Sequence, residues 1–252
     1  MNVSTDRLAE LTSALAAMRG RLARAAEAAG RRSEDITLLP VTKFFPATDV
    51  AILWRLGCRQ FGESRSQEAV AKIAEFHTIV EPAPDDRPVH WHMVGRLQRN
   101  KAKNIATWAD TVHSVSTAKV VAALDAAVAD AVADGARSRP LRAFVQISLD
   151  GDTDRGGVDI GDPREVDRIC GLVAAAGGLE LVGLMAVAPL GADPDEAFAA
   201  LEQERCRVAR DHPGVTGLSA GMSQDLEAAV RHGSTCVRVG TALMGKRPLT
   251  SP

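Results

Sequence analysis

Eight short apolar runs, each separated from the next by a longer segment with apolar residues at helical spacing, constrain this chain more than any other feature. The runs lie at 36–41, 59–62, 89–94, 111–115, 142–149, 179–187, 214–218 and 236–239. The segments between them, 48–56, 64–76, 98–108, 117–133, 163–176, 194–211 and 223–232, read as helices. Regular strand–helix alternation predicts a parallel sheet with helices packed outside it, the α/β class. Eight units in about 250 residues fit a (β/α)8 TIM barrel. A doubly wound open sheet shows the same alternation and stays open as the alternative. Residues 4–29 add a helix ahead of the first strand, with Leu8, Leu11, Leu15, Met18 and Leu22 on one face and Gly30 as its stop. Residues 81–88, rich in Pro and Asp, read as a surface loop. No linker or composition shift divides the chain, so one domain is expected over 1–252, its first 30 residues packed on the barrel.

Composition narrows the function classes. A net charge of −2 gives no global reason to expect nucleic acid or an anionic membrane as partner. No run is long and apolar enough to span a bilayer, and charges break up the N-terminal segment, which therefore does not read as a signal peptide. Cys58, Cys170, Cys206 and Cys236 are scattered, as expected of reduced thiols in a cytoplasmic protein.

In a parallel barrel the residues after each strand share one mouth. Lys43 ends the first apolar run, with Phe44, Phe45 and Pro46 directly behind it. A lysine partly desolvated there is an amine nucleophile for an aldehyde, but from this segment alone a strand-end lysine that snorkels to water is the simpler reading. The other positions gathered at this mouth are Gly62, Glu63, Ser64, Gly95, His113, Met185, the stretch Ser219 to Ser223, and Arg238, Gly240 and Thr241. Two of these turns suit a phosphate: Gly221-Met222-Ser223 ahead of a helix, and Gly240-Thr241 directly after the last strand. Arg238 stands inside an apolar strand between Val237 and Val239. It needs either a buried ion pair or a ligand atom that accepts its hydrogen bond, and taken alone the ion pair is the simpler reading.

Three other patterns carry less weight. His90 and His92 share a strand face but lack a third metal ligand. Asp150, Asp152 and Asp154 open like a calcium loop, yet Arg155 and Gly161 stand where its glycine and glutamate belong. Arg96, Arg99, Lys101 and Lys103 read as a solvated face or a local anion contact.

Taken together, VTKFFP, FGESRSQE, WHMVGRLQRNK, VHSV, GLMAVAP, LSAGMSQDLEAAV and CVRVGTALMG resemble, in order, the motifs of the pyridoxal 5′-phosphate (PLP) homeostasis proteins. These are single-barrel relatives of the alanine racemase N-terminal domain, of the fold-type III class. The resemblance implies that Lys43 carries PLP as a Schiff base and that Ser223, Gly240 and Thr241 hold its phosphate, with Gly221 and Met222 in the same turn. It implies also that Arg238 faces the pyridine nitrogen. Ser64 departs from the family's asparagine, and Ala220 from its common methionine; both positions are expected near the pocket.

An arginine at the ring nitrogen supports carbanion chemistry poorly, because it does not accept the ring's proton. Racemases with this arrangement add a tyrosine from a further domain. This chain contains no tyrosine, and no such further domain is expected after Pro252. His113 is the nearest substitute acid, although a core histidine is the simpler reading. The expectation is a cytoplasmic, monomeric PLP carrier in vitamin B6 homeostasis, with no catalytic residue and no metal, that serves apo forms of PLP-dependent enzymes. A PLP-dependent racemase is the alternative.

Overall fold

A computed structural model describes residues 5–80 and 88–246; the loop read at 81–88 lies almost wholly outside the described residues. Helix α1 spans Thr5–Ala28. The strands are β1 (Thr37–Pro40), β2 (Gln60–Glu63), β3 (His90–Met93), β4 (Thr111–Val115), β5 (Leu141–Ser148), β6 (Val158–Asp159), β7 (Leu179–Met185), β8 (Gly217–Ser219) and β9 (Cys236–Val239). The helices that follow are α2 (Ala47–Arg55), α3 (Ser66–Ile79), α4 (Ala102–Trp108), α5 (Ala118–Ala133), α6 (Pro163–Ala175), α7 (Pro194–Val208), α8 (Leu226–Arg231) and α9 (Thr241–Met244).

The strands are parallel and run β1-β9-β8-β7-β5-β4-β3-β2, with the two-residue β6 attached to β5 outside this path. A bridge between Val41 and Gly62 joins the two ends, and the Thr42 N–H donates to the Gly62 carbonyl at 2.9 Å. That closure removes both edges and decides for the barrel over the open sheet. The predicted strands and helices all appear within a few residues of their expected bounds. The exception is 98–108, where a 3₁₀ turn at Arg99–Lys101 precedes α4.

Alternation along the strands sorts side chains between two layers. Val237 and Val239 of β9 pack outward with Leu11, Leu15 and Met18 of α1 and with Val50 and Leu53 of α2. Cys236 and Arg238, which alternate with them, point inward. The inside of the barrel holds a small apolar group, Phe144, Val182 and Met185, beside a polar layer of His92, His113, Ser219 and Arg238. Outside, Phe61, Phe76 and Trp91 lock β2, β3 and α3 together with ring centroids 5.5 to 6.3 Å apart. No described helix is long and apolar enough to cross a membrane.

Candidate functional site

Strand β1 stops at Pro40, so Lys43 sits past its end in the turn that leads to α2. Lys43 is exposed, which agrees with a strand-end lysine that reaches water and not with a partly desolvated amine; its Nζ lies 5.8 Å from the Phe44 ring centroid. Phe44 adopts φ 70°, the one positive φ at a non-glycine residue among those described. A bulky side chain in this region is a costly conformation that its surroundings must impose.

β9 and β8 are the next strands round the ring from β1. The Val41 N–H donates to the Val239 carbonyl at 2.8 Å, so Lys43 and Thr241 each stand two residues beyond a directly bonded pair. Gly221 follows β8 with φ 90°, and a Cβ there would meet the Ala229 Cβ at 2.5 Å, so the turn requires glycine. Its carbonyl accepts the Arg238 N–H at 2.9 Å. The Met222 N–H is taken by Asp225 Oδ1 at 2.5 Å, and the Met222 side chain is exposed. Ser223 Oγ accepts the Ala242 N–H at 3.3 Å, which joins the turn after β8 to the turn after β9. Gly221, Met222, Ser223, Gly240 and Thr241 thus form one continuous rim, two turns of small residues beside the Lys43 turn.

Arg238 is buried, yet it makes no ion pair with any described carboxylate. Nη2 donates to the Ala186 carbonyl at 2.7 Å and Nη1 to Ser219 Oγ at 3.1 Å. Ser219 Oγ is 2.8 Å from His113 Nδ1, and His113 Nε2 is 2.9 Å from His92 Nδ1. The buried ion pair, the simpler reading from sequence, gives way to a guanidinium held by neutral groups. A cation kept this deep without a counter-charge retains N–H donors for an uncharged or anionic partner. Burial lowers the pKa of His92 to about 3 and that of His113 well below its usual value. His113 therefore lies within the barrel and not at its mouth, stacked on Phe144 at 4.7 Å.

Ala220 is fully buried in the helix-facing cluster with Val215, Leu218 and Ala229, so it does not line the pocket as expected. Ser64 borders a cavity of about 290 Å³ with Met93 and Arg96. Gly95 passes so close to the Ser64 carbonyl that a Cβ there would overlap it. Arg155 is bound by Asp150 and Asp152 within their own loop. Of the basic run, Arg96 donates to the Asp154 carbonyl at 3.1 Å and Lys103 pairs with Asp130 at 3.1 Å.

Two residues that the sequence does not single out support the site. Lys72 of α3 reaches the Thr42 carbonyl, one residue before Lys43, at 2.8 Å. Arg21 of α1 donates to the Ser223 carbonyl at 2.5 Å and to Glu227 at 2.5 and 2.6 Å. Both are ordinary helical cations in sequence, and only the folded ring brings them to these turns.

Residues 14–248 match the family model of the alanine racemase N-terminal domain. The chain is 62% identical over 249 residues to the pyridoxal phosphate homeostasis protein of Mycobacterium tuberculosis strain H37Rv, covering 98% of this chain and 96% of that one. This chain belongs to the pyridoxal phosphate homeostasis protein family. Among solved structures, an unknown protein from Bifidobacterium adolescentis superposes with a TM-score of 0.84 at 27% identity, covering 96% of this chain and 97% of that one. PipY of Synechococcus elongatus PCC7942, a structure with PLP bound, superposes with a TM-score of 0.76 at 29% identity, covering 93% of this chain and all of that one. For this member of the PLP homeostasis family, the rim built by β1, β8 and β9 meets the needs of that cofactor. It offers an exposed primary amine, a buried carboxylate-free guanidinium, and a rim of hydroxyls and glycine-containing turns.

Proposed function

We propose that this protein holds PLP as a Schiff base on Lys43 and buffers or delivers it within the reducing interior of the cell, as one binding unit and as a monomer. The observation that carries this reading is Arg238: a buried cation without a carboxylate, one strand from Lys43 and beside the two small-residue turns. Lys43 would hold the cofactor through its exposed primary amine, the nucleophile suited to an aldehyde. When bound, PLP supplies an electrophilic carbon and an electron-withdrawing ring. Ser223, Gly240 and Thr241 hold its phosphate through hydroxyls and backbone N–H groups, with Gly221 and Met222 shaping the turn. Arg238 would face the ring nitrogen as a donor that does not give up its proton, an arrangement that would lend carbanion chemistry little support.

The absence of tyrosine and the enclosure of His113 leave no evident second acid or base for racemisation, which supports a carrier over an enzyme. The names of the relatives and the PLP-bound relative support the same reading. Apo forms of PLP-dependent enzymes are the natural recipients of such a carrier. Borohydride reduction of PLP-loaded protein followed by peptide mapping is expected to find the cofactor on Lys43, and Lys43→Ala is expected to stay colourless. Incubation with single amino-acid enantiomers in deuterated solvent is expected to show no α-deuterium uptake above the rate of free PLP. Uptake at enzymatic rates that Lys43→Ala abolishes would overturn the carrier reading.

A further inference from the structure

The residue ahead of Lys43 is held from every side. The Thr42 N–H donates to the Gly62 carbonyl at 2.9 Å, and its Oγ1 to Glu63 Oε1 at 2.6 Å. Its carbonyl accepts from Lys72 Nζ at 2.8 Å and from the Phe45 N–H at 3.1 Å. Lys72 Nζ also lies 2.6 Å from Glu63 Oε1. One triad, drawn from β2, α3 and the first turn after β1, therefore engages the hydroxyl and the carbonyl of Thr42, while its N–H is bonded to the β2 backbone.

This arrangement is expensive. Glu63 is wholly buried and Lys72 nearly so, and Glu63 Oε2 has no partner. Desolvation pushes the Glu63 carboxyl up, and the Lys72 charge only opposes that. A buried ion pair with an orphaned oxygen is a poor source of stability compared with apolar side chains of the same size. What the triad does hold in place is the strained turn. Lys43 and Phe44 come directly after Thr42, and Phe44 keeps φ 70° only if the chain on both sides is fixed.

Lys72 is also a second primary amine near the site. Its nitrogen is committed to two oxygens and buried, whereas Lys43 is exposed. The two lysines therefore have different roles.

We propose that the Lys72–Glu63 pair is a positioning device that fixes Thr42 and thereby the Phe44 turn, setting the direction of Lys43 and so how long PLP is retained. This inference rests on Lys43 being the lysine that binds PLP. A loosened Lys43 turn still reacts with the aldehyde but loses alignment with the rim that holds the rest of the cofactor.

Four forms of the PLP-loaded protein test it: wild type, Lys72→Met, Thr42→Val, and Lys72→Met combined with Glu63→Leu. The readouts are the rate of PLP release on dilution and the thermal midpoint of the apo protein. The single Lys72→Met change strands the Glu63 charge and lowers the midpoint; the double variant removes both charges and restores it. Release is expected to stay faster by roughly tenfold in the double variant, and to be faster in Thr42→Val as well. A double variant of wild-type stability that releases PLP at the wild-type rate overturns the proposal and leaves the pair a structural link between β2 and α3. Should Lys72→Met fail to fold, the double variant and Thr42→Val decide alone. Peptide mapping of the reduced wild type separates this failure from that of the underlying reading. PLP trapped on Lys72 overturns both, while PLP on Lys43 with unchanged release overturns only the positioning role.

Discussion

Arg238 fixes proton positions well beyond its own contacts. A guanidinium only donates, so the Ser219 oxygen accepts from Nη1 and its own proton turns to His113 Nδ1. Cys236, whose thiol burial pushes up to about 11, stays protonated beside Ser219 and is a weak competing acceptor. His113 then carries its proton on Nε2 and gives it to His92 Nδ1, which leaves His92 protonated on Nε2. Nitrogen-15 spectra of the labelled protein near neutral pH are expected to show both imidazoles as neutral Nε2–H tautomers. A proton on His113 Nδ1 would reverse the chain and break the argument. Ser219→Ala leaves a guanidinium donor and an imidazole nitrogen unpaired in the barrel, and should cost about 1–3 kcal/mol in denaturant unfolding. Arg238 was legible in the sequence because a charge between two valines of a strand demands a partner. Its actual partners, Ser219 Oγ and the Ala186 carbonyl, were not legible, since they sit on neighbouring strand ends that only the closed ring brings to it, and Ser219 in turn meets His113 from 106 residues away.

At the scale of elements, the helix ahead of the barrel does more than cover a hydrophobic end. Its buried face, Leu11, Leu15, Met18 and Leu22, follows the expected spacing, while Leu8 proves to be exposed. Each of the four buried side chains is worth about 1.5–3 kcal/mol against β9, α2 and α8. Polar contacts from the same helix reach both halves of the rim. Arg7 binds Asp49 at 2.6 Å and the Met244 carbonyl at 3.0 Å, and its guanidinium lies 5.4 Å from the Phe45 ring centroid in the Lys43 turn. Arg21 ties the Ser223 carbonyl to Glu227 of α8. Helix α1 thus braces the amine turn at one end and the small-residue turn towards the other. Arg21→Ala is expected to leave the fold intact, since the helix keeps its apolar face, and to weaken PLP binding by roughly threefold to tenfold, the range of one charge-assisted contact that orients a ligand group. Fluorescence titration with PLP checks this; unchanged affinity would show that Ser223 holds its place without the helix. The apolar stripe of α1 was legible from periodicity. The tasks of Arg7 and Arg21 were not, because an exposed-side arginine on an amphipathic helix has no mark that separates it from a solvating one.

Over the whole molecule, alternation of strand and helix gave the eight units of an α/β fold, but the choice of barrel over open sheet came only with the Val41–Gly62 closure, a contact between residues far apart in sequence. The two-residue β6 and the four-residue α9 are too short to show a period. A uniform net charge also hid how the charges are distributed: the exposed ion pairs sit outside, while an uncompensated polar layer crosses the barrel interior. That layer has a consequence for acid stability. In the folded barrel the histidines bind protons only far below the ordinary 6.5, His92 at about 3 and His113 also well below its usual value, whereas the unfolded chain binds them near 6.5. Between those limits the unfolded chain holds more protons, so stability rises with pH and is lost as pH falls below 6.5. Each fully shifted histidine costs about 1.4 kcal/mol for every pH unit in that window. Glu63 works in the opposite sense, since its raised carboxyl becomes less of a burden as pH falls through its folded value. The carboxylates held down by surface arginines, such as Asp195 and Glu165, respond only near and below the ordinary carboxylate range. From pH 6.5 to about 5 the histidine layer lowers stability while the raised Glu63 carboxyl opposes it, and the histidine contribution to the fall in thermal midpoint is on the order of 5 °C per unit. His92→Gln and His113→Gln should each flatten that slope while lowering the midpoint at neutral pH, where the native pair is fully hydrogen-bonded. If both variants instead run parallel to the wild type across the interval, the acid sensitivity arises outside the barrel interior.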